Sequence, residues 1–194
     1  MFAMNNLTEL TPTTTIFTTL STSDYENVLT TVTHELHPLL NDIVQIVEQN
    51  GGDIYSQDKQ GILVVFRPGQ NNHAQQGLKA AMSIMDKSAE WNNHRLAQGK
   101  STLRIGIGVS THPEQVENTL PPRPSDWNQN VHFAQQLSQL NQQTPFHTVF
   151  ASGHTINALS YLNGYQVDPL GNLQLNEQME PTPFYAVMHK NHHR

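Results

Sequence analysis

The sequence has 194 residues, enough for one domain with a sizeable core. Hydrophobic residues make up 36%, charged residues 13%, and the net charge is −6, so polarity rests on Gln, Asn, Thr and Ser, and no basic stripe is present to grip nucleic acid. There is no cysteine, which excludes disulfide frameworks, zinc ribbons and thiolate catalysis.

Residues 1–12 are polar and read as a flexible N-terminal segment. Met1–Leu10 lacks the basic and apolar regions of a signal peptide. Thr13–Leu20 is rich in β-branched residues and predicts a strand. Ser21–Ser23 offers N-cap hydroxyls for a helix from near Asp24. Leu36, Leu39, Leu40, Ile43, Ile46 and Val47 recur at helical steps and give one apolar face, which Gly51–Gly52 ends. Asp53–Ser56 and Ile62–Phe66 predict two strands, joined through Gln57–Gly61 as a hairpin.

Pro68–Gly69 breaks the chain before a second long helix over Ala74–Leu96, whose stripe includes Leu78, Ala81, Met82, Ile84 and Met85. Thr102–Ser110 predicts a core strand, Glu117–Pro124 an irregular Pro-rich break, Val131–Leu140 a helix and His147–Ala151 a strand. Ser152–Leu159 suggests a short helix, and Tyr165–Val167 and Pro183–Val187 two last strands. This mixed order predicts an α/β (α+β) fold with a mostly antiparallel sheet and helices packed on it. No apolar run approaches the roughly 18–20 residues of a membrane span, so the expectation is a soluble, cytoplasmic domain.

Four stretches resemble the class III adenylate/guanylate cyclase catalytic domain. IVQIVEQNGGDIYSQDKQGILVVF (43–66) matches the family's helix, Gly-Gly, strand, turn, strand. Residues 77–111, ending in LRIGIGVST, resemble its next helix and core strand. NVHFAQQLSQLNQQT (130–144) resembles its later helix, and VDPLGNLQLNEQMEPTPFYAV (167–187) its final strands. The resemblance covers residues 13–188 and implies a ferredoxin-like βαββαβ core with additional strands, leaving 189–194 as a polar His-rich tail.

The resemblance also implies a chemistry. In the family, two carboxylates hold two divalent metals that bind triphosphate and activate the ribose 3′-oxygen. An Asn and an Arg stabilise the transition state, a Lys–Asp pair reads the base, and the site forms between two protomers. Carried over by position, the metal carboxylates fall on Gln60 and on Thr13 or Thr19. The base-reading Lys falls on Ser56 and its Asp partner on Ser125, with Asp126 one place away. The Asn falls on His132 and the Arg on Gln136, which cannot make the bidentate cationic contact of a guanidinium. Both formal negative charges and the transition-state cation are missing from these positions.

Three functional readings follow. The first is a pseudo-cyclase, a signalling or protein-interaction domain without metal or other cofactor. It would pair with itself or with a cyclase-like partner, or remain a monomer. The second is an active cyclase using Mg or Mn through substitute ligands such as Asp53, Asp58 or Asp126. The third is a nucleotide or small-ligand sensor without turnover.

Other motifs have simpler readings. Gly51-Gly52-Asp53 reads as a helix cap rather than a catalytic turn. His34 and His37 share a helical spacing but have no third ligand fixed by spacing, and His189, His192 and His193 read as tail. Trp91 and Trp127 read as packing anchors. Gly106 and Gly108 lie within a strand, where glycine serves close packing more often than phosphate binding.

Overall fold

In chain order the elements are β1 (Thr14–Thr22), α1 (Thr33–Gln49), β2 (Asp53–Asp58), β3 (Gly61–Phe66), α2 (His73–Ala97), β4 (Leu103–Thr111), α3 (Pro124–Gln142), β5 (Val149–Ser152), α4 (Gly153–Asn157), β6 (Tyr165–Leu173) and β7 (Thr182–His189). The structure, a computed structural model, describes residues 13–22, 33–58, 61–67, 72–111, 124–144 and 147–190. The strands form one sheet in the order β2-β3-β1-β4-β5-β7-β6. The first four strands give the antiparallel ferredoxin-like arrangement. A parallel β4–β5 pair and an antiparallel β5–β7–β6 extension complete the sheet.

Strand alternation divides the core into two layers. Ile16 and Leu20 of β1, and Leu103, Ile107 and Val109 of β4, point to the face carrying α1 and α2. There they pack with Leu36, Leu39, Ile43, Leu78, Met82 and Met85. The opposite face carries α3, with Phe133 and Leu137 against Phe150 and Ala186, and Ala134 against Phe17 and Leu63.

Local chemistry explains several boundaries. α1 ends in a Schellman motif: Gly52 N donates to Val47 O at 2.9 Å, Gly51 N donates to Glu48 O at 3.0 Å, and Gly51 takes φ 76°. The Gly-Gly pair is thus a helix stop. Gly106 and Gly108 let α3 lie directly on β4, since a Cβ at either would strike the backbone carbonyl of Ser138 or of Ala134.

Some elements extend beyond their sequence-based bounds. α3 begins at Pro124, well before Val131, because proline suits the first helical turn, where its missing N–H costs nothing. Trp127 therefore lies within α3 rather than after a break. β6 continues past Val167 through Pro169 and Gly171, with a register shift between them. It is an edge strand, where a proline removes no needed donor. His189, expected in the tail, is the last residue of β7 and pairs with Tyr165. The helix expected near Asp24, the break over 117–123, and His192 and His193 lie outside the described residues. Among the described residues, no helix is long and apolar enough to cross a membrane.

Candidate functional site

The register of β1 separates the two candidate positions for the first metal carboxylate. Thr14 pairs with Phe66 and Thr18 with Ile62. Thr19 therefore stands beside the start of β3, at the end of the β2–β3 hairpin where Gln60 falls. Thr13 precedes the strand at its opposite end. Gln60 itself lies outside the described residues. Thr19 is buried, and its Oγ1 donates to Gly106 O at 3.4 Å and Ser138 O at 3.5 Å. Its one hydroxyl proton is shared between carbonyls of β4 and α3 over long distances.

Ser56 stands opposite Leu63, which stands opposite Phe17. Directly paired residues share a face, so Ser56 and Thr19 both belong to the face that carries α3. Of the acids considered as substitutes, Asp53 lies at the far end of β2, opposite Val65, and its exposed carboxylate sits 3.8 Å from Arg67. Asp58 pairs with Gly61 at the hairpin end. Ser125 and Asp126 fall in the first turn of α3. The side chains of Asp58, Ser125 and Asp126 lie outside the described set.

His132 and Gln136 come together one turn apart on α3. Its sheet side is taken by Ala134, Leu137, Ser138 and Asn141, all buried. With Gln129, Leu173, Leu175 and Met179, His132 and Gln136 line a cleft of about 340 Å³. The far wall is braced by Gln174 Nε2 donating to Met179 O at 2.8 Å and Gln178 N donating to Asn176 Oδ1 at 3.0 Å. Among the described residues, no Asp, Glu, Lys or Arg lines this cleft. The structure thus makes two groups, Thr19 with Ser56 on the sheet and His132 with Gln136 on the other side of α3.

Sequence reasoning missed three polar links. Asn141 Oδ1 accepts from Ile107 N at 2.8 Å, and its Nδ2 donates to Thr148 O at 3.0 Å and Thr148 Oγ1 at 3.1 Å. An amide four residues after Leu137 on an apolar stripe was the available signal. Thr14 Oγ1 lies 2.9 Å from His73 Nδ1 and 2.7 Å from Thr111 Oγ1, a link between distant segments that no local pattern encodes. The Asp86 carboxylate is shared by His147 and His189.

The metal pair implied by the family resemblance does not fit these residues. The Thr19 oxygen donates its proton to carbonyls instead of presenting a negative ligand. Among the described residues, no three His, Asp or Glu side chains are placed to hold an ion.

No protein-family model matches the chain, and no curated protein matches it in sequence. Solved structures do match. The guanylyl cyclase Cya2 superposes with a TM-score of 0.64 at 20% identity, covering 91% of each chain. An adenylate/guanylate cyclase/hydrolase from Silicibacter pomeroyi gives 0.64 at 14%, covering 91% of this chain and 95% of the other. The non-canonical dimeric guanylyl cyclase domain from Blastocladiella emersonii gives 0.62 at 12%, covering 92% and 97%. The chain has the fold of the class III adenylate/guanylate cyclase catalytic domain.

Proposed function

We propose that this chain is a catalytically inactive cyclase homology domain that serves as a regulatory or protein-interaction module. The observation that carries this reading is Thr19. We take Thr19, of the two β1 candidates Thr13 and Thr19, as the position where the family chemistry needs a metal-binding carboxylate, and here it is a buried hydroxyl whose one proton faces two backbone carbonyls. Ser56, His132 and Gln136 supply none of the Lys, Asn and Arg chemistry at the other family positions. An enzyme of this type needs its full constellation, because metal, base and transition-state contacts act on one reacting phosphorus.

A dimer, with itself or with a cyclase-like partner, is the assembly we propose, by analogy with the dimeric Blastocladiella domain. The test is incubation of the purified chain with ATP or GTP and Mn²⁺. No cyclic product above buffer is expected, and robust turnover would overturn the reading. Light scattering over a concentration series checks the assembly, and a mass fixed near 21.8 kDa would reject the homodimer.

A second reading, nucleotide or small-ligand binding without turnover, is favoured by the cleft between α3 and the loop after β6, which His132 and Gln136 line. Calorimetric titration of ATP and GTP separates it: saturable binding without product supports it, and silence removes nucleotides as its ligand.

A further inference from the structure

The sheet has a gap beside the first half of β4. β5 pairs with β4 only at Gly108–Phe150 and Val109–Ala151, so the stretch from Leu103 to Ile107 has no strand on that side. Two amide side chains stand in for the missing strand. Asn92 of α2 accepts from Leu103 N at 2.8 Å and donates to Leu103 O at 3.0 Å. Asn141 of α3 accepts from Ile107 N at 2.8 Å. Ile105 lies midway between them. In an antiparallel pair, the backbone groups of alternate residues turn away from the partner strand. Leu103 and Ile107 turn theirs away from β1, so Ile105, in the same phase, turns its N–H and C=O to the gap. Among the described residues, neither group has a hydrogen-bond partner.

The gap opens into a cavity of about 520 Å³ that Ile105 lines. Its two sides differ in chemistry. Met85 and Ala89 of α2 form one side, next to the Ile105 side chain, which packs on the main apolar core. Arg104, Gln143 and Thr144 form the other. Strand alternation puts Arg104 on the same face as Gly106 and Gly108, the face that carries α3. Arg104 is exposed and, among the described residues, pairs with no carboxylate. Among the same residues, no Asp or Glu lines the cavity.

We propose that this gap binds the C-terminal end of a partner polypeptide, added as a short strand beside β4. The partner's penultimate residue exchanges both backbone hydrogen bonds with Ile105. Its apolar side chain shares the Ile105 face and lies on Met85 and Ala89. The terminal residue turns to the opposite face, where its carboxylate meets the Arg104 guanidinium. The gap selects a chain end over a through-running strand. Leu103 to Ile107 spans about 13 Å, and the Asn92 and Asn141 amides close its two ends, so about two or three residues fit. A cation with no acid beside it selects the carboxyl end over the amino end. The inference goes beyond the proposed function and holds whether or not the chain turns over nucleotide, since none of Thr19, Ser56, His132 and Gln136 lines the cavity.

The test uses the full chain and pools of fluorescein-labelled short peptides with a free C-terminal carboxylate, each pool fixed at the penultimate residue, read by fluorescence anisotropy. Pools with an aliphatic or aromatic residue there are expected to bind saturably, and their C-terminal amides about tenfold or more weakly. In the complex, the Ile105 amide is expected to exchange with solvent deuterium about tenfold or more slowly. Arg104→Gln, at an exposed position, should leave the melting temperature unchanged and weaken binding about tenfold. Ala89→Phe, which fills the apolar side, should weaken it similarly. No saturable binding by any pool would overturn the proposal. So would equal binding of the amides, unchanged exchange at Ile105 in the complex, or parental affinity in both variants.

Discussion

His189 Nε2 lies 3.0 Å from Asp86 Oδ2 and so ties the last residue of β7 to the middle of α2. The other oxygen of that carboxylate meets His147 Nε2 at 3.2 Å, and the Tyr165 ring lies 5.5 Å from the His189 ring. One carboxylate thus joins α2, the approach to β5, and the end of β7, and Tyr165 of β6 lies alongside.

Tyr165 makes this junction sensitive to alkali. Burial raises its pKa above the ordinary 10.0, and the negative charge of Asp86 adds to the effect. The folded state therefore holds the phenol proton more tightly than the unfolded chain. The stability this contributes is complete below the ordinary tyrosine value and is lost as pH rises through the raised one. Lys87 acts in the same direction, its pKa raised by a hydrogen bond to Glu90 and by Asp42, but at a solvent-screened surface position. The melting temperature is expected to fall as pH climbs past 10.0, and Tyr165→Phe to flatten that fall. An identical alkaline slope in the variant would refute the assignment.

Asn141 closes the parallel β4–β5 pair from the helix side, with three hydrogen bonds from one buried amide. Asn141→Leu keeps the volume but strands Ile107 N–H and the Thr148 carbonyl. The expected loss is about 3 kcal/mol, read from chemical denaturation midpoints at unchanged slope. A loss under about 1 kcal/mol would mean that water replaces the amide.

Gly108 and Gly99 should respond very differently to alanine. A Cβ at Gly108 would meet the Ala134 carbonyl, with Ser138 N at 2.6 Å and Leu137 Cβ at 2.8 Å, so α3 must lift off the sheet. Gly108→Ala is expected to cost about 3 kcal/mol or more, or to prevent folding. Gly99 has φ +70° with nothing within 4 Å of its Cβ position. Gly99→Ala should cost only the left-handed penalty of about 1–2 kcal/mol. Similar melting temperatures for the two variants would contradict the packing of α3 on β4.

On the proposed function, Thr19→Asp would put an acid at one of the two β1 positions the resemblance offers for a metal ligand, and it is expected to give no cyclic product. The new carboxylate would face the carbonyl oxygens of Gly106 and Ser138 in a buried site. An unpaired buried charge there should cost about 3 kcal/mol or more, or be protonated. Thr19→Val, which loses only two long hydrogen bonds, should cost about 1 kcal/mol. Cyclase activity gained by Thr19→Asp with Mn²⁺ would show that the rest of the catalytic constellation survives.

The sequence by itself determined the class of fold. The β-branched run of β1, the apolar steps of α1 and α2, and the Gly-Gly stop are local patterns, and each encodes one element with one buried face. The resemblance implied which residue types stand at the family positions, with Thr13 and Thr19 as alternatives for one of them. The tertiary structure decided where these residues stand relative to one another. Thr13 and Thr19 have the same chemistry and nearby places in the chain, and only strand register puts Thr19 at the hairpin end and Thr13 at the other. Register depends on pairing with β3, more than forty residues away, which no local window contains. The same holds for Asp86 with His147 and His189. Such sites arise where distant segments meet, so their geometry exists only once the sheet and its helices have packed.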